Sequence, residues 1–246
     1  VRDNKLIDMP AIKEAIDKAM KNNATLHLMG LVSDGGVHSH INHFLYMLDA
    51  AKERGVKDIV VHAFLDGRDV PPKSAKTFLS QLQDKIDEVG NARIGVVSGR
   101  YYAMDRDKNY NRTQKAYDAL VYNNAPEKGL LEGMDESYDN GINDEFVIPY
   151  LVNANTNIKD NDSVIFLNFR PDRAIQLSTA LTNLSLTGIQ NGHVFTGLTF
   201  VQMMLYSENV KGLVVFDPQE LNDIYGEVIA KAGLTQLRIA ETEKYA

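Results

Sequence analysis

The chain has 246 residues, 44% of them apolar and 24% charged, which is enough for one large soluble domain or two small ones. Its formal net charge of −7 excludes bulk attraction to nucleic acid or anionic membranes. It has no cysteine, which excludes disulfides and thiolate metal sites and permits a reducing compartment, and no apolar run approaches the ~20 residues of a membrane-spanning helix.

The apolar periodicity of Pro10 to Met20 predicts a helix, followed by a strand over Leu26 to Val32 whose near-continuous apolar run suits burial on both faces. A second helix is expected over His40 to Arg54, closed by Gly55, then a strand over Ile59 to Leu65. A third helix over Ser74 to Val89 stops at Gly90, a third strand covers Ile94 to Val97, and another helix covers Tyr110 to Tyr122. Turn chemistry dominates Asn123 to Asn143, apart from a short helical piece near Met134 to Tyr138. Phe146 to Val152 reads as an added strand, and the Asn- and Asp-rich stretch from Asn153 to Asp162 as a hairpin-like loop. Beyond it come a strand over Val164 to Phe169, a helix over Pro171 to Leu181 and strands over His193 to Leu205 and Leu213 to Phe216. The last elements are a helix over Leu221 to Ala232 ended by Gly233 and a strand over Gln236 to Ala240. This alternation predicts an α/β fold, a three-layer α/β/α sandwich with a mostly parallel, mixed central sheet.

Four of the strands run into polar, Gly- or Pro-marked motifs: SDGGVHSH (Ser33 to His40), DGRDVPP (Asp66 to Pro72), SGRYYAMDRD (Ser98 to Asp107) and FRPDR (Phe169 to Arg173). Ligands of α/β sheets bind at the carboxyl ends of strands, and guanidinium groups clustered there suit a small polyanion with carboxylate or phosphate groups. In FRPDR, Pro171 suits the first turn of a helix, which would set Arg170 and Arg173 beside free N–H groups as a phosphate site. Arg100 and Arg106 suit a carboxylate clamp, and Asp69 beside Arg68 suits a general base facing a hydroxyl. His38 suits an acid or a phosphate ligand. His40 and His43, on one helical face, leave a metal site as the weaker alternative, and Ser33 lacks a nucleophile elbow. His27 and His62, inside strands, read as satisfied core histidines. These residues define a polyanion site with a candidate acid/base and select no reaction.

Together and in this order, LHLMGLVSDGGVHSH, FLDGRDVPP, SGRYYAMDRDKNYNR and NFRPDRAIQ resemble the cofactor-independent (2,3-bisphosphoglycerate-independent) phosphoglycerate mutases, and the resemblance continues through YDNGINDEFVIP to LRIAETEKYA. It implies a glycolytic isomerase, cytoplasmic and monomeric, that interconverts 3-phosphoglycerate and 2-phosphoglycerate through a phosphoserine. In that family a phosphatase-like domain carries the nucleophilic serine and two Mn2+, and an inserted domain binds and positions the glycerate. Residues 1–218 resemble the inserted domain, and 219–246 the return into the phosphatase-like domain.

The chain opens at Val1 rather than Met and stops at Ala246 after a polar stretch, so it is expected to be part of a longer polypeptide. The serine and the metal ligands are expected outside it, leaving no metal here and no activity for the fragment alone. The resemblance implies that His38 lies near the phosphoryl group and that Arg68 and Asp69 contact the glycerate hydroxyls, with Asp69 as acid/base. It implies further that Arg100 and Arg106 hold the carboxylate, that Arg170 and Arg173 hold the phosphoryl group, and that Lys244 lies near the phosphoserine. The competing class of function is a standalone phosphoanion-binding module without catalysis.

Overall fold

The computed structural model describes residues 5–218, 221–237 and 239. Pro10 opens α1 (Pro10–Asn22), where its lack of an N–H costs nothing, and Asn23 ends it in a left-handed conformation. Then follow β1 (Leu26–Leu31), α2 (Ile41–Glu53), β2 (Ile59–Leu65), α3 (Ala75–Val89) and β3 (Ala92–Gly99). The single-turn α4 (Arg100–Ala103) leads to α5 (Tyr110–Tyr122), α6 (Glu132–Asp139) and β4 (Tyr150–Leu151). β5 (Ser163–Phe166), α7 (Ile175–Thr182), β6 (Thr199–Met204) and β7 (Leu213–Phe216) complete the sheet.

The strand order is β4-β3-β2-β1-β5-β6-β7, with every neighbouring pair parallel except β3 and β4. Alternate residues of each strand enter two separate cores. Leu26 and Leu28 of β1 join Ile59, Val61, Ala63 and Leu65 of β2 under α1, α2 and α3. Met29 and Leu31 join Phe64, Val164 and Phe166 under α5 and α7. A strand covered on both faces has no solvent side, which is why the apolar runs are near-continuous; each fully buried Leu, Ile or Phe contributes roughly 1.5–3 kcal/mol. The expected three-layer, mostly parallel sandwich is the observed one.

β1 hands the chain to β2 on one side and β5 hands it to β6 on the other. The winding of the sheet therefore reverses between β1 and β5, and the crevice at their carboxyl ends is the place such sheets offer a ligand.

Several elements differ from expectation. The helix after FRPDR begins at Ile175 rather than Pro171, because Pro171 to Ala174 forms a turn closed by the Ala174 N–H on the Pro171 carbonyl at 2.8 Å. The Phe146 to Val152 strand shrinks to Tyr150–Leu151: Asp144–Phe146 is a 3-10 turn, and Pro149 has no N–H to give a ladder. Asn153 to Asp162 is no hairpin, since β4 lies at one edge of the sheet and β5 beside β1. The His193 to Leu205 strand starts only at Thr199, after turns at Asn191 and Gly197, both at positive φ.

Residues through Phe216 form one compact unit, and Asp217–Ala246 a second. In the second, α8 (Tyr225–Lys231) is shorter than the expected Leu221 to Ala232, since Asp223 is left-handed and Ile224 extended. Of the expected last strand, Gln236, Leu237 and Ile239 are in no strand, and Arg238 and Ala240 lie outside the described residues.

Candidate active site at the carboxyl ends of the strands

The loops leaving β1, β2, β3 and β5 carry the four motifs, and main-chain contacts lock them together. Phe169 N–H donates to the His38 carbonyl at 2.8 Å, which joins the loop after β1 to the loop after β5 across the reversal point. Gly35 lies against the loop after β2, where a Cβ would sit 3.2 Å from both the Asp69 Cβ and its carbonyl oxygen.

Arg100, the first residue after β3, is the most buried cation of the site, at 2% exposure. Its Nη1 donates to Asp66 Oδ1 and Asp69 Oδ2, both at 2.6 Å. Asp66 also accepts from the Ser33 hydroxyl at 2.7 Å and from the Asp69 and Arg68 backbone N–H groups at 2.9 and 3.2 Å. Burial alone would push the Asp66 carboxyl up, but these bonds outweigh it and hold it below the usual range. Ser33 is thus a strut for Asp66. Arg100 Nε has no partner among the described residues.

His38 is buried between two carboxylates, with Nε2 4.0 Å from Asp69 Oδ2 and Nδ1 3.7 Å from Asp172 Oδ1. Burial and the Arg100 charge lower its pKa to about 4, against the opposing pull of Asp172 and Asp69, so the ring is neutral near pH 7. Asp172 accepts from Arg106 Nη1 at 2.6 Å and from Arg170 Nε at 2.9 Å. Arg173 Nη1 donates to the Met104 carbonyl at 3.1 Å. Burial and the neighbouring Arg100, Arg106 and Arg68 charges lower the Arg173 pKa. A groove of about 320 Å3 opens beside Arg106 and Asp172.

The structure gathers His38, Asp69, Arg100, Arg106, Arg170 and Arg173 around one basin. Arg106 shares a carboxylate with Arg170, while Arg100 belongs with Asp66 and Asp69. Arg170 and Arg173 lie in the Pro171 turn that leads into α7 rather than within its first turn. Arg68 and Asp69 diverge: Asp69 turns inward, and Arg68 lies largely in solvent, 3.4 Å from Glu145. Lys244 lies outside the described residues.

The metal alternative loses its ligands. His40 Nδ1 accepts the Asn42 N–H at 3.1 Å as the cap of α2, and the His43 ring meets Phe169 edge-on. Among the described residues no group of three or more potential ligands converges on a metal position.

Asp66, Asp144 and Asp172 are the residues that motif reading undervalued. Asp144 is fully buried and accepts from the Ser74 and Ala75 N–H groups, both at 2.9 Å, and from the Tyr138 hydroxyl. Its turn roofs two motif glycines. A Cβ on Gly99 would lie 2.6 Å from Val147 N, and one on Gly67 2.9 Å from Glu145 N. The available signal was charge balance, because every arginine motif brings its own aspartate: DGRD, MDRD and PDR.

The fold and the basin define a doubly wound α/β domain with an anion-accepting centre where its winding reverses. Residues 1–208 match the family described as BPG-independent PGAM N-terminus (iPGM_N), and the chain belongs to that family. Over its whole length it is 46% identical to a 2,3-bisphosphoglycerate-independent phosphoglycerate mutase of Listeria monocytogenes and 44% identical to one of Clostridium acetobutylicum. It covers 49% of each of those proteins, so the chain spans about half the length of the curated relatives it matches. A crystal structure of Leishmania mexicana phosphoglycerate mutase, determined at low cobalt concentration, superposes with a TM-score of 0.81 at 26% identity. That match covers 94% of this chain and 45% of the other.

Proposed function

We propose that this chain is the glycerate-binding half of a cofactor-independent phosphoglycerate mutase, a cytoplasmic, monomeric glycolytic isomerase that interconverts 3-phosphoglycerate and 2-phosphoglycerate. The observation that carries the reading is the basin itself. Among the described residues, Arg100, Arg106, Arg170 and Arg173 line it with Asp66, Asp69 and Asp172, and the Arg173 guanidinium bonds a backbone carbonyl, that of Met104.

In this reading, residues 1–218 are the substrate domain and 219–246 begin the return into the partner domain. Arg170 and Arg173 hold the phosphoryl group, with the neutral His38 ring beside it, and Lys244 lies near the phosphoserine. Arg100 and Arg106 hold the carboxylate. Arg68 and Asp69 contact the glycerate hydroxyls, and Asp69, held in place by Arg100, takes a proton from one hydroxyl and returns it to the other. The partner domain supplies the serine and two Mn2+. The basin does not suit those ions, because Asp69 and Asp172, the carboxylates flanking His38, already bond Arg100, Arg106 and Arg170, and among the described residues no three potential ligands converge. Phosphate leaves the substrate for the serine and returns to the other hydroxyl, which splits one awkward transfer into two displacements. The arginines neutralise charge on the moving group.

Calorimetric titration of 3-phosphoglycerate into this chain tests the reading: saturable binding that outcompetes inorganic phosphate is expected, and equal affinities would defeat it. With Mn2+ added, the chain alone is expected to show no turnover. In the complete enzyme, Asp69→Asn should lower kcat at least about a hundredfold with little change in KM.

A further inference from the structure

We propose that Asp172 is the positioning residue of the basin, a single carboxylate that sets the carboxylate-side arginine, Arg106, the phosphoryl-side arginine, Arg170, and the His38 ring in one geometry. The inference rests on the functional reading above and adds to it the group that fixes the spacing between the two ends of the ligand.

The two carboxylate oxygens divide the work. Oδ2 accepts from Arg106 Nη1 at 2.6 Å, while Oδ1 accepts from Arg170 Nε at 2.9 Å and lies 3.7 Å from His38 Nδ1. Arg106 comes from the segment after β3, Arg170 from the loop after β5 and His38 from the loop after β1, so Asp172 is where three separately folded loops meet. Its own backbone is set by the residue before it, since Pro171 fixes φ and its carbonyl closes the turn with Ala174. A solvated surface pair would leave one oxygen to water, but the Asp172 side chain is only 18% exposed and both oxygens are engaged.

His38 Nδ1 has no hydrogen-bond partner among the described residues. A shift of a few tenths of an ångström by Asp172 would supply one, so ligand-driven movement of Arg106 or Arg170 is transmitted to the ring. The other charged groups facing His38 are Asp69 from the loop after β2, Arg100 from α4 and Arg170. Among these acids, Asp172 alone bonds guanidinium groups from two loops.

The role separates from that of a plain negative charge. Asp172→Asn removes the charge and keeps the shape, whereas Asp172→Glu keeps the charge and moves the oxygens by about one methylene. Calorimetry on the whole chain should compare 3-phosphoglycerate with inorganic phosphate, which touches only one end of the basin. Both variants are expected to lose about tenfold of the preference for phosphoglycerate, the scale of one charge-assisted hydrogen bond. Their affinity for inorganic phosphate should change less, and their unfolding midpoints should stay near wild type. Full preference in Asp172→Glu, or equal factors for both ligands, would overturn the positioning role and leave only a charge effect. A wild-type chain without the preference would instead defeat the functional reading, and this inference with it.

Discussion

Towards the amino ends of the strands, Asp162, His27 and His62 form a buried chain. Asp162 accepts the Thr25 and Lys159 N–H groups at 3.0 and 2.7 Å and lies 3.2 Å from His27 Nε2, and His27 Nδ1 lies 3.0 Å from His62 Nε2. His62 Nδ1, at the far end of the chain, is buried without a hydrogen-bond partner among the described residues. A β-bulge in β3 makes room for the outer ring: a Cβ on Gly95 would lie 2.9 Å from His62 Cε1. At the carboxyl ends the same sheet gathers full charges instead, on loops rather than strands, with rim side chains such as Arg106 and Arg170 reaching solvent. The amino-end chain uses backbone donors and rings sealed inside the strands, which suits permanent structure. The carboxyl-end basin keeps its guanidinium groups on loops that reach solvent, which suits a ligand that arrives later.

The strongest way to break this contrast is Arg100→Ala. Asp66 and Asp69 would lose their shared cation in a buried site, costing about 3–5 kcal/mol in urea unfolding and abolishing phosphoglycerate binding. Stability near wild type would show that the basin's charges are not coupled as the distances state. Asp162→Ala comes next, at about 3 kcal/mol, because His27 and two backbone N–H groups lose their acceptor. Its folded fraction should bind phosphoglycerate with unchanged affinity, and a lost affinity would mean that the two ends communicate.

Acidification probes both ends at once. Burial depresses His38 to about 4 and His62 well below its usual value, so between pH 6.5 and 4 the unfolded chain binds protons that the folded chain refuses. Stability should therefore fall as pH drops through that window, and the contribution of His38 should level off below about 4. Replacing His62 with Gln should flatten part of the slope in thermal melts; an unchanged slope would place the titration elsewhere. His40→Ala should cost only about 1 kcal/mol, the worth of a helix cap, and leave binding intact. Smallest for stability is Arg173→Met. It removes a desolvated guanidinium held among like charges by one backbone carbonyl, so the unfolding midpoint should hold or rise while binding weakens at least about tenfold. A large loss of stability would make Arg173 a structural residue.

The sheet was legible in the sequence because strands buried on both faces are written as near-continuous apolar runs, and β1, β2 and β5 follow that rule with only His27, His62 and Ser163 interrupting them. It failed where tertiary pairing or turn chemistry overrode the local pattern. Tyr150–Leu151 is a strand only because β3 offers an edge, and α7 starts late because Pro171 closes a turn first. The site motifs were legible as arginine-rich strand ends, and six of the expected residues meet in the basin.

Which group faces which was beyond the sequence. Neighbours in sequence such as Arg68 and Asp69 point apart, whereas Arg106 and Arg170, far apart in the chain, share the oxygens of Asp172. Local chemistry determined that loops with these charges would end these strands. Only the folding of β1, β2, β3 and β5 into adjacent positions decided the pairing, because an ion pair depends on distance in space, and the sheet order that sets those distances is a property of the whole chain.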